Sequence, residues 1–254
     1  MYGDERRQAI LLQARRAGRV EVTRLAEEFG VATETIRRDL AALERQGMLR
    51  RVHGGAIPAE RMVAFELEVG ARTRIMAGEK RRIAKAALAE LPPEGAIFIE
   101  AGSTAAVFAE LLPHDSERTV VTNSLPIALM LAVRPELTVL TVGGRVRRMT
   151  LAEVDDWALR GMAGARVDVA FVGTNGLSPR EGLTTPDIGE AAVKRAALTI
   201  GQRTVLLADH TKIGAVSLCR YGELSDIDLL VTDSGLHADV AGEIRDAGLD
   251  VVTA

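Results

Sequence analysis

Seven short apolar runs, each followed by a polar or glycine-rich loop and separated by stretches of helical character, constrain this chain more than any other feature. They occupy residues 96–99, 120–121, 138–142, 167–172, 204–207, 229–231 and 251–252. Runs that are apolar throughout, with helices between them, predict a mostly parallel sheet covered on both faces, a doubly wound α/β arrangement. In such a sheet the ligand crevice lies outside the carboxyl ends of the strands. The loops at 100–104, 122–124, 143–145, 173–176, 209–212 and 232–233 are therefore expected to converge on one rim.

Composition narrows the classes. The 254 residues, 47% hydrophobic and 26% charged, can bury a sizeable core and suit two folded units better than one. Cys219 is the single cysteine, which rules out an intrachain disulfide and a Cys-rich zinc site. The four histidines form no metal-binding pair, so no metal is expected. No apolar run has the roughly 18 residues of a membrane helix, and no signal-peptide core follows Met1; a cytoplasmic protein without membrane contact is expected. The eight aromatic residues are too scattered for a base-stacking platform. Gly-Lys-Ser/Thr and Gly-x-Gly-x-x-Gly spacings are missing, which argues against nucleotide or dinucleotide cofactors.

Charge divides the chain. Residues 1–57 carry 11 Arg, no Lys and 8 acids, for +3, whereas the remainder carries −6. A basic head on an acidic body implies an anion-binding module joined to one with another partner. Within the head, Asp4 is placed to cap a helix ending at Gly18, and Val20 to Val22 alternate as a strand. Thr23 opens a helix closed by Gly30, and a further helix runs from Ala32 or Thr33 to Gln46, before Gly47. Two short helices joined by a Gly-containing turn fit a helix-turn-helix. Ile36, Leu40 and Leu43 form the apolar stripe, leaving Thr33, Thr35, Arg37 and Arg38 to face a major groove. Arg50, Arg51 and His53, with the Gly54-Gly55 turn, read as a two-stranded wing reaching phosphates or the minor groove. Double-stranded DNA is the expected partner.

Residues 58–78 read as a linker, partly helical, and 79–254 as the second domain, which opens with an Ala-rich helix closed by Pro92-Pro93. In the loop after the first run, Gly102 allows close backbone approach, Ser103 and Thr104 offer hydroxyls, and a helix begins whose free N–H groups suit phosphate. Lys212 would supply compensating charge. A turn of this kind serves equally well as a plain helix cap. Glu190 and Lys194, spaced i, i+4, read as a surface ion pair, and Arg145, Arg147 and Arg148 as a solvated charge run. Asp209 and His210 have no serine or cysteine partner at a recognisable elbow, so no catalytic residues are assigned.

The segment Val31-Ala-Thr-Glu-Thr-Ile-Arg-Arg-Asp-Leu40, followed by Leu49-Arg-Arg-Val-His-Gly-Gly-Ala56, resembles the signature of the DeoR family. The resemblance continues through Glu100–Thr104, Val121 to Pro126, Val167 to Gly176, Gly182 to Asp187 with Glu190, and Leu207 to Gly214. It implies a winged helix-turn-helix followed by an effector domain similar to phosphosugar isomerases and aminosugar-phosphate deaminases. It also implies a transcription factor, expected to be a repressor of sugar catabolism, whose effector is a phosphorylated sugar such as a fructose or other hexose phosphate, and whose assembly is a homodimer or homotetramer. Carried over by position, Gly102, Ser103, Thr104 and Lys212 would hold the phosphate. Glu100 stands in the family's phosphate-loop pattern, and Asn123, Asn175, Asp187, Glu190 and Lys194 would line the sugar side. The enzymatic alternative is retained isomerase or deaminase activity. Against it, Asn175 stands where the deaminases carry a proton-transferring carboxylate, and an amide is no general base. Three positions depart from the family pattern: Ala32 replaces a Ser or Thr cap, Glu100 replaces Asp, and Glu153-Val-Asp-Asp156 replaces a Val-Gly-Pro type turn.

Overall fold

The computed structural model describes residues 3–17, 20–46, 48–52, 54–58, 69–114 and 117–254. The chain divides into two compact units, Met1–Phe65 and Glu66–Ala254.

In the first unit, α1 (Gly3–Ala17), β1 (Val20–Glu21), α2 (Val22–Phe29) and α3 (Thr33–Arg45) precede the hairpin of β2 (Leu49–Val52) and β3 (Gly55–Pro58). Helix α1 starts before Asp4, which lies in its first turn instead of capping it. Val22 belongs to α2, not to the strand, and the helix closes at Gly30 in the left-handed conformation at φ 62°. Gly18, Gly47 and His53 lie outside the described residues. The wing is three-stranded where two strands were expected, because β1 pairs with the free edge of β3. Gly55 makes that approach possible, since a Cβ there would stand 2.0 Å from the Val20 carbonyl oxygen.

Ile10, Leu11 and Ala14 of α1, Leu25 and Ala26 of α2, and Ile36, Leu40 and Leu43 of α3 form one core, closed by Leu49 and Ala56. Asp39 joins α3 to α1 at its margin. Its buried carboxylate accepts from Arg6 Nε at 2.6 Å and lies 3.4 Å from Arg7 Nη1. This fixes the rotation of α3, and hence the direction of the arginines that precede Asp39.

The second unit holds the expected sheet. Its seven strands are β4 (Ala96–Ile99), β5 (Arg118–Thr122), β6 (Leu137–Thr141), β9 (Val167–Gly173), β12 (Gly201–Leu207), β14 (Leu229–Thr232) and β15 (Asp250–Thr253). All are parallel, in the order β15-β14-β12-β9-β4-β5-β6. The chain moves outward from β4 to β6, returns to lay β9 on the other side of β4, and moves outward again. The topological switch point, where such folds bind ligands, is therefore between β4 and β9.

The helices are α4 (Val69–Arg74), α5 (Ala77–Ala87), α6 (Ser103–Glu110), α7 (Leu125–Leu131), α8 (Asp155–Met162), α9 (Ile188–Ile200) and α10 (Ala238–Asp246). Two cores flank the sheet. Ile97, Ile99, Val169, Phe171, Val205, Leu207, Leu229 and Val231 pack under α5, α6 and α7, and Phe108 of α6 meets Phe171 at a ring separation of 4.3 Å. Their neighbours Phe98, Ala170, Val172, Leu206 and Leu230 pack against α8, α9 and α10. In the central strands both pleat faces are covered, which is why they read as unbroken apolar runs.

Two smaller pieces complete the unit. One is the hairpin of β7 (Arg145–Arg147) and β8 (Ala152–Val154). The other is an antiparallel sheet in the order β10 (Gly176–Ser178), β11 (Gly182–Thr185) and β13 (Cys219–Gly222). Asp155, within the segment that departs from the family pattern, stands at the unusual φ of 75°, and Arg145 Nε pairs with its carboxylate at 2.5 Å.

Helix α3 begins without a side-chain cap. Ala32 holds the N-cap position at φ −63° and ψ 147°, and Thr33 does not substitute for the missing hydroxyl. Ala32→Ser should stabilise the first unit by about 1 kcal/mol. Thermal unfolding of the full chain tests this, and an unchanged midpoint would show that the cap is not limiting.

Candidate functional site

The crevice at the switch point begins where β4 ends. Gly102 caps α6 at φ 176° and ψ 156°, an extended conformation open to any residue, and a Cβ added there would meet nothing within 4 Å. Neither the backbone nor the packing therefore requires glycine, and the space before α6 is left open. The first intrahelical bond runs from Ala106 N to Gly102 O at 2.9 Å, leaving the N–H groups of Ser103, Thr104 and Ala105 without helical partners. Neither the Ser103 nor the Thr104 hydroxyl caps the helix. The plain-cap alternative therefore loses its basis.

Across the switch point, Glu100 and Lys194 are both almost fully buried. Glu100 Oε2 accepts from Gly173 N at 2.8 Å and Oε1 from Lys194 Nζ at 2.5 Å. Lys194 donates also to Gly173 O at 3.0 Å, and the Tyr221 hydroxyl donates to the same carbonyl at 2.9 Å. Lys194 therefore pairs with Glu100, not with Glu190 as an exposed i, i+4 partner. The reason is that α9 turns this face toward the end of β4. Burial raises the Glu100 pKa above the ordinary value, and Lys194 and the Gly173 N–H oppose that rise.

Asn123 ties the neighbouring loops together. Its Oδ1 accepts from Ala101 N at 2.8 Å and its Nδ2 donates to Glu153 O at 3.3 Å, while Glu153 Oε2 accepts from Gly143 N at 2.8 Å. Ser124 caps α7 through a bond from Ile127 N.

On the other side, Asp187 caps α9 by accepting from Glu190 N at 2.9 Å. Arg147, expected to be solvated, is instead largely buried, with Nε 3.0 Å from Asp187 Oδ2 and Nη1 3.2 Å from Glu190 Oε1. The β7–β8 hairpin turns it inward. Thr150 donates to Glu190, and Thr185 Oγ1 lies 3.1 Å from Asn175 Oδ1 and 3.4 Å from Glu190 Oε2. Asn175, Asp187 and Glu190 thus form one network. Burial would raise the Asp187 pKa, but the Glu190 N–H and Arg147 hold it below the ordinary value.

Lys212 ends the 3-10 turn His210–Lys212 that follows β12. Asp209 caps this turn through Thr211 N and its hydroxyl, and its pKa is held down, against burial, by Lys212, Thr211 and Lys80. Lys212 itself is half-buried, and its side chain forms no hydrogen bond or ion pair with any described residue.

In the first unit, Thr33, Arg37 and Arg38 face solvent and Thr35 is partly covered. Glu34 lies 3.4 Å from Arg37 and 4.0 Å from Arg38, which restrains both guanidinium groups on the open face of α3. Arg50 and Arg51 occupy β2 opposite Ile57 and Ala56.

The residues missed from sequence are Lys80, Arg147, Thr150, Glu153, Thr185 and Tyr221.

A DeoR-like helix-turn-helix domain matches residues 6–61, and a DeoR C terminal sensor domain matches residues 75–234. The chain belongs to the DeoR family. The HTH-type transcriptional regulator GlpR of Haloferax volcanii is 37% identical, covering 98% of this chain and 96% of that one. GolR of Listeria innocua is 32% identical over 99% and 98%, and a putative aga operon transcriptional repressor of Escherichia coli O157:H7 is 29% identical over 98% and 93%. Among solved structures, ribose 5 phosphate isomerase A from Neisseria gonorrhoeae aligns with a TM-score of 0.40 and 18% identity, covering 54% of this chain and 53% of that one. No described helix is long and apolar enough to cross a membrane, and the described residues contain no cluster of three metal-ligating side chains.

Two outcomes follow from the buried groups. Lys194→Met leaves the Glu100 carboxylate buried with one N–H partner and should destabilise by about 3 kcal/mol, most of which Glu100→Gln in the same chain should restore. Denaturant unfolding checks this, and additive losses would refute the pairing. Asp187, Asp209 and Asp233 all titrate below the ordinary value, Asp233 because His210, in its ring and backbone bonds, outweighs the effect of burial. Their contribution to stability is complete above about pH 4 and disappears as pH falls through the lower folded values. Asp233→Asn should flatten that acid limb in a pH series of unfolding midpoints.

Proposed function

We propose that this DeoR-family regulator is a repressor of a sugar-catabolism operon that leaves its operator when a phosphorylated sugar enters the crevice of the second unit. The observation that carries this reading is the open, unpartnered start of α6. Three N–H groups and two free hydroxyls face a space that a Cβ would not fill, and Lys212, without an ion pair, stands at the same rim. A phosphate dianion matches that donor set through hydrogen bonds, helix dipole and charge. Asn123, Asn175, Asp187 and Glu190 offer amide and carboxylate groups suited to sugar hydroxyls. Glu100 and Lys194 act from beneath, by fixing the ends of β4 and β9.

In the head, Arg37, Arg38, Thr33 and Thr35 present groups for base edges, and Arg50, Arg51 and His53 of the wing reach the phosphates. Release requires that the sugar phosphate favour the arrangement incompetent for DNA; equal affinity for both states would switch nothing. Paired half-sites call for a homodimer or homotetramer acting in the cytoplasm. No observation favours turnover. Asn175 is an amide, and the Glu190 carboxylate already accepts from Thr150 and Arg147. Proton transfer needs a base that is free to take the proton.

Arg37→Ala should weaken specific operator binding about 10- to 100-fold and nonspecific binding much less, as read by fluorescence anisotropy. Equal losses would remove Arg37 from base reading. Gly102→Ala should leave the unfolding midpoint unchanged, because backbone and space admit the methyl group, yet abolish release of DNA by a panel of hexose and pentose phosphates. Lys212→Ala should do the same. Release that persists in both variants, or that is equally strong with dephosphorylated sugars, would refute the phosphate site.

A further inference from the structure

Lys80 lies in the first turn of α5 and is 4% exposed, deep for a lysine. Its Nζ donates to two backbone carbonyls at the far end of α4, Arg72 O at 2.5 Å and Ile75 O at 2.8 Å. A cation is favoured at a helix C-terminus, where the last carbonyls lack partners. Helix α4 has only six residues, too few to be stable unaided, so its anchorage comes from contacts of this kind. The chain then enters α5 through Met76 at φ 54°, a left-handed conformation without glycine that persists only where the surroundings impose it.

The charged groups that act on Lys80 come from three elements. Arg72 belongs to α4 and Glu79 to α5, while Asp209 and Lys212 belong to the turn after β12, on the rim of the crevice. Burial, with Lys212 and Arg72, lowers the Lys80 ammonium to about 8, and Asp209 and Glu79 oppose them. The lysine that holds α4 therefore shares an electrostatic environment with the lysine offered to phosphate. A dianion beside Lys212 offsets its repulsion of Lys80 and favours the charged ammonium, which has three N–H donors where the neutral amine has fewer.

Resting on the sugar-phosphate reading above, we propose that Lys80 is a positioning residue that couples the crevice to α4, tightening its grip on the Arg72 and Ile75 carbonyls when an anion occupies the place beside Lys212. Helix α4 is the first described element after residues 59–68, which lead from the DNA-binding head.

Calorimetry with inorganic phosphate at pH 8, in buffers of different ionisation enthalpy, tests the coupling. Wild type should take up as much as about half a proton more than Lys80→Met, a difference in which phosphate's own ionisation cancels. Hydrogen exchange across residues 69–76 should slow severalfold with phosphate in wild type and in Lys80→Arg, and stay unchanged in Lys80→Met. Should Lys80→Met fail to fold, wild type decides: exchange in α4 that ignores bound phosphate overturns the proposal. Phosphate that binds with equal proton uptake in both proteins overturns it too, leaving the phosphate site standing. No phosphate binding to wild type, or binding that Lys212→Ala does not weaken, removes that site and this coupling with it.

Discussion

The second unit is organised around one buried ion pair, Glu100 with Lys194, closed on Gly173. It joins residues 94 positions apart at the point where the strand order reverses, and satisfies both the N–H and the carbonyl of Gly173. A buried pair of this kind adds little net stability, since desolvation consumes most of the attraction, but it penalises every alternative arrangement that would leave either charge alone. Its effect here is positional. The loops after β4 and β9 are held together, and α9 is fixed in rotation, with Asp187 at its N-cap and Glu190 in its first turn. The longer Glu at position 100, where the family pattern has Asp, still reaches both Gly173 N and Lys194.

Much of this was legible in the sequence, for a physical reason. All seven strands of the main sheet were marked by apolar runs, most fully in the central strands, where both pleat faces are buried, and the helix-turn-helix was marked by the stripe of Ile36, Leu40 and Leu43. The short antiparallel pieces were not legible. Strands β7, β8, β10, β11 and β13 have three or four residues each, too few for alternation to rise above chance, and their register is set by tertiary packing. Arg147 was hidden with them, because only the hairpin turns it inward. The partner of Lys194 was misread because sequence spacing reports neighbours on one helix and says nothing of a carboxylate delivered by a distant strand. Lys80 carries no sequence mark at all, since an amphipathic helix rich in Lys and Arg offers no reason to bury one of them.

The departures from the family pattern cost unequal amounts. Ala32 simply lacks a cap. Asp155 takes up a left-handed conformation normally reserved for glycine, for which Asp is among the better-tolerated side chains, and Arg145 holds its carboxylate. The Asp155 carboxylate also lies against α9, where a Cβ on Gly189 would stand 2.9 Å from it. The departure is therefore absorbed locally, by a charge pair on one side and a glycine on the other, and the α8–α9 packing that supports the crevice is kept.

The net charge of −3 is an average over two modules with opposite electrostatic tasks, +3 in residues 1–57 and −6 in the rest. An acidic body resists lying along a phosphate backbone, so on the proposed reading DNA contact is confined to α3 and the wing, while the same body must still admit an anion. It does so at one place only on the proposed reading, where helix N–H groups and Lys212 locally reverse the sign. On that reading the chemistry of the crevice is also spent on binding instead of turnover. Turnover by proton transfer would need a group free to move the proton, so that binding energy is realised in the transition state. Here Glu190 is held by Thr150 and Arg147, and position 175 is an amide. Binding energy that cannot lower a reaction barrier remains available to shift the balance between two conformations, and that shift is what a regulator requires of its effector.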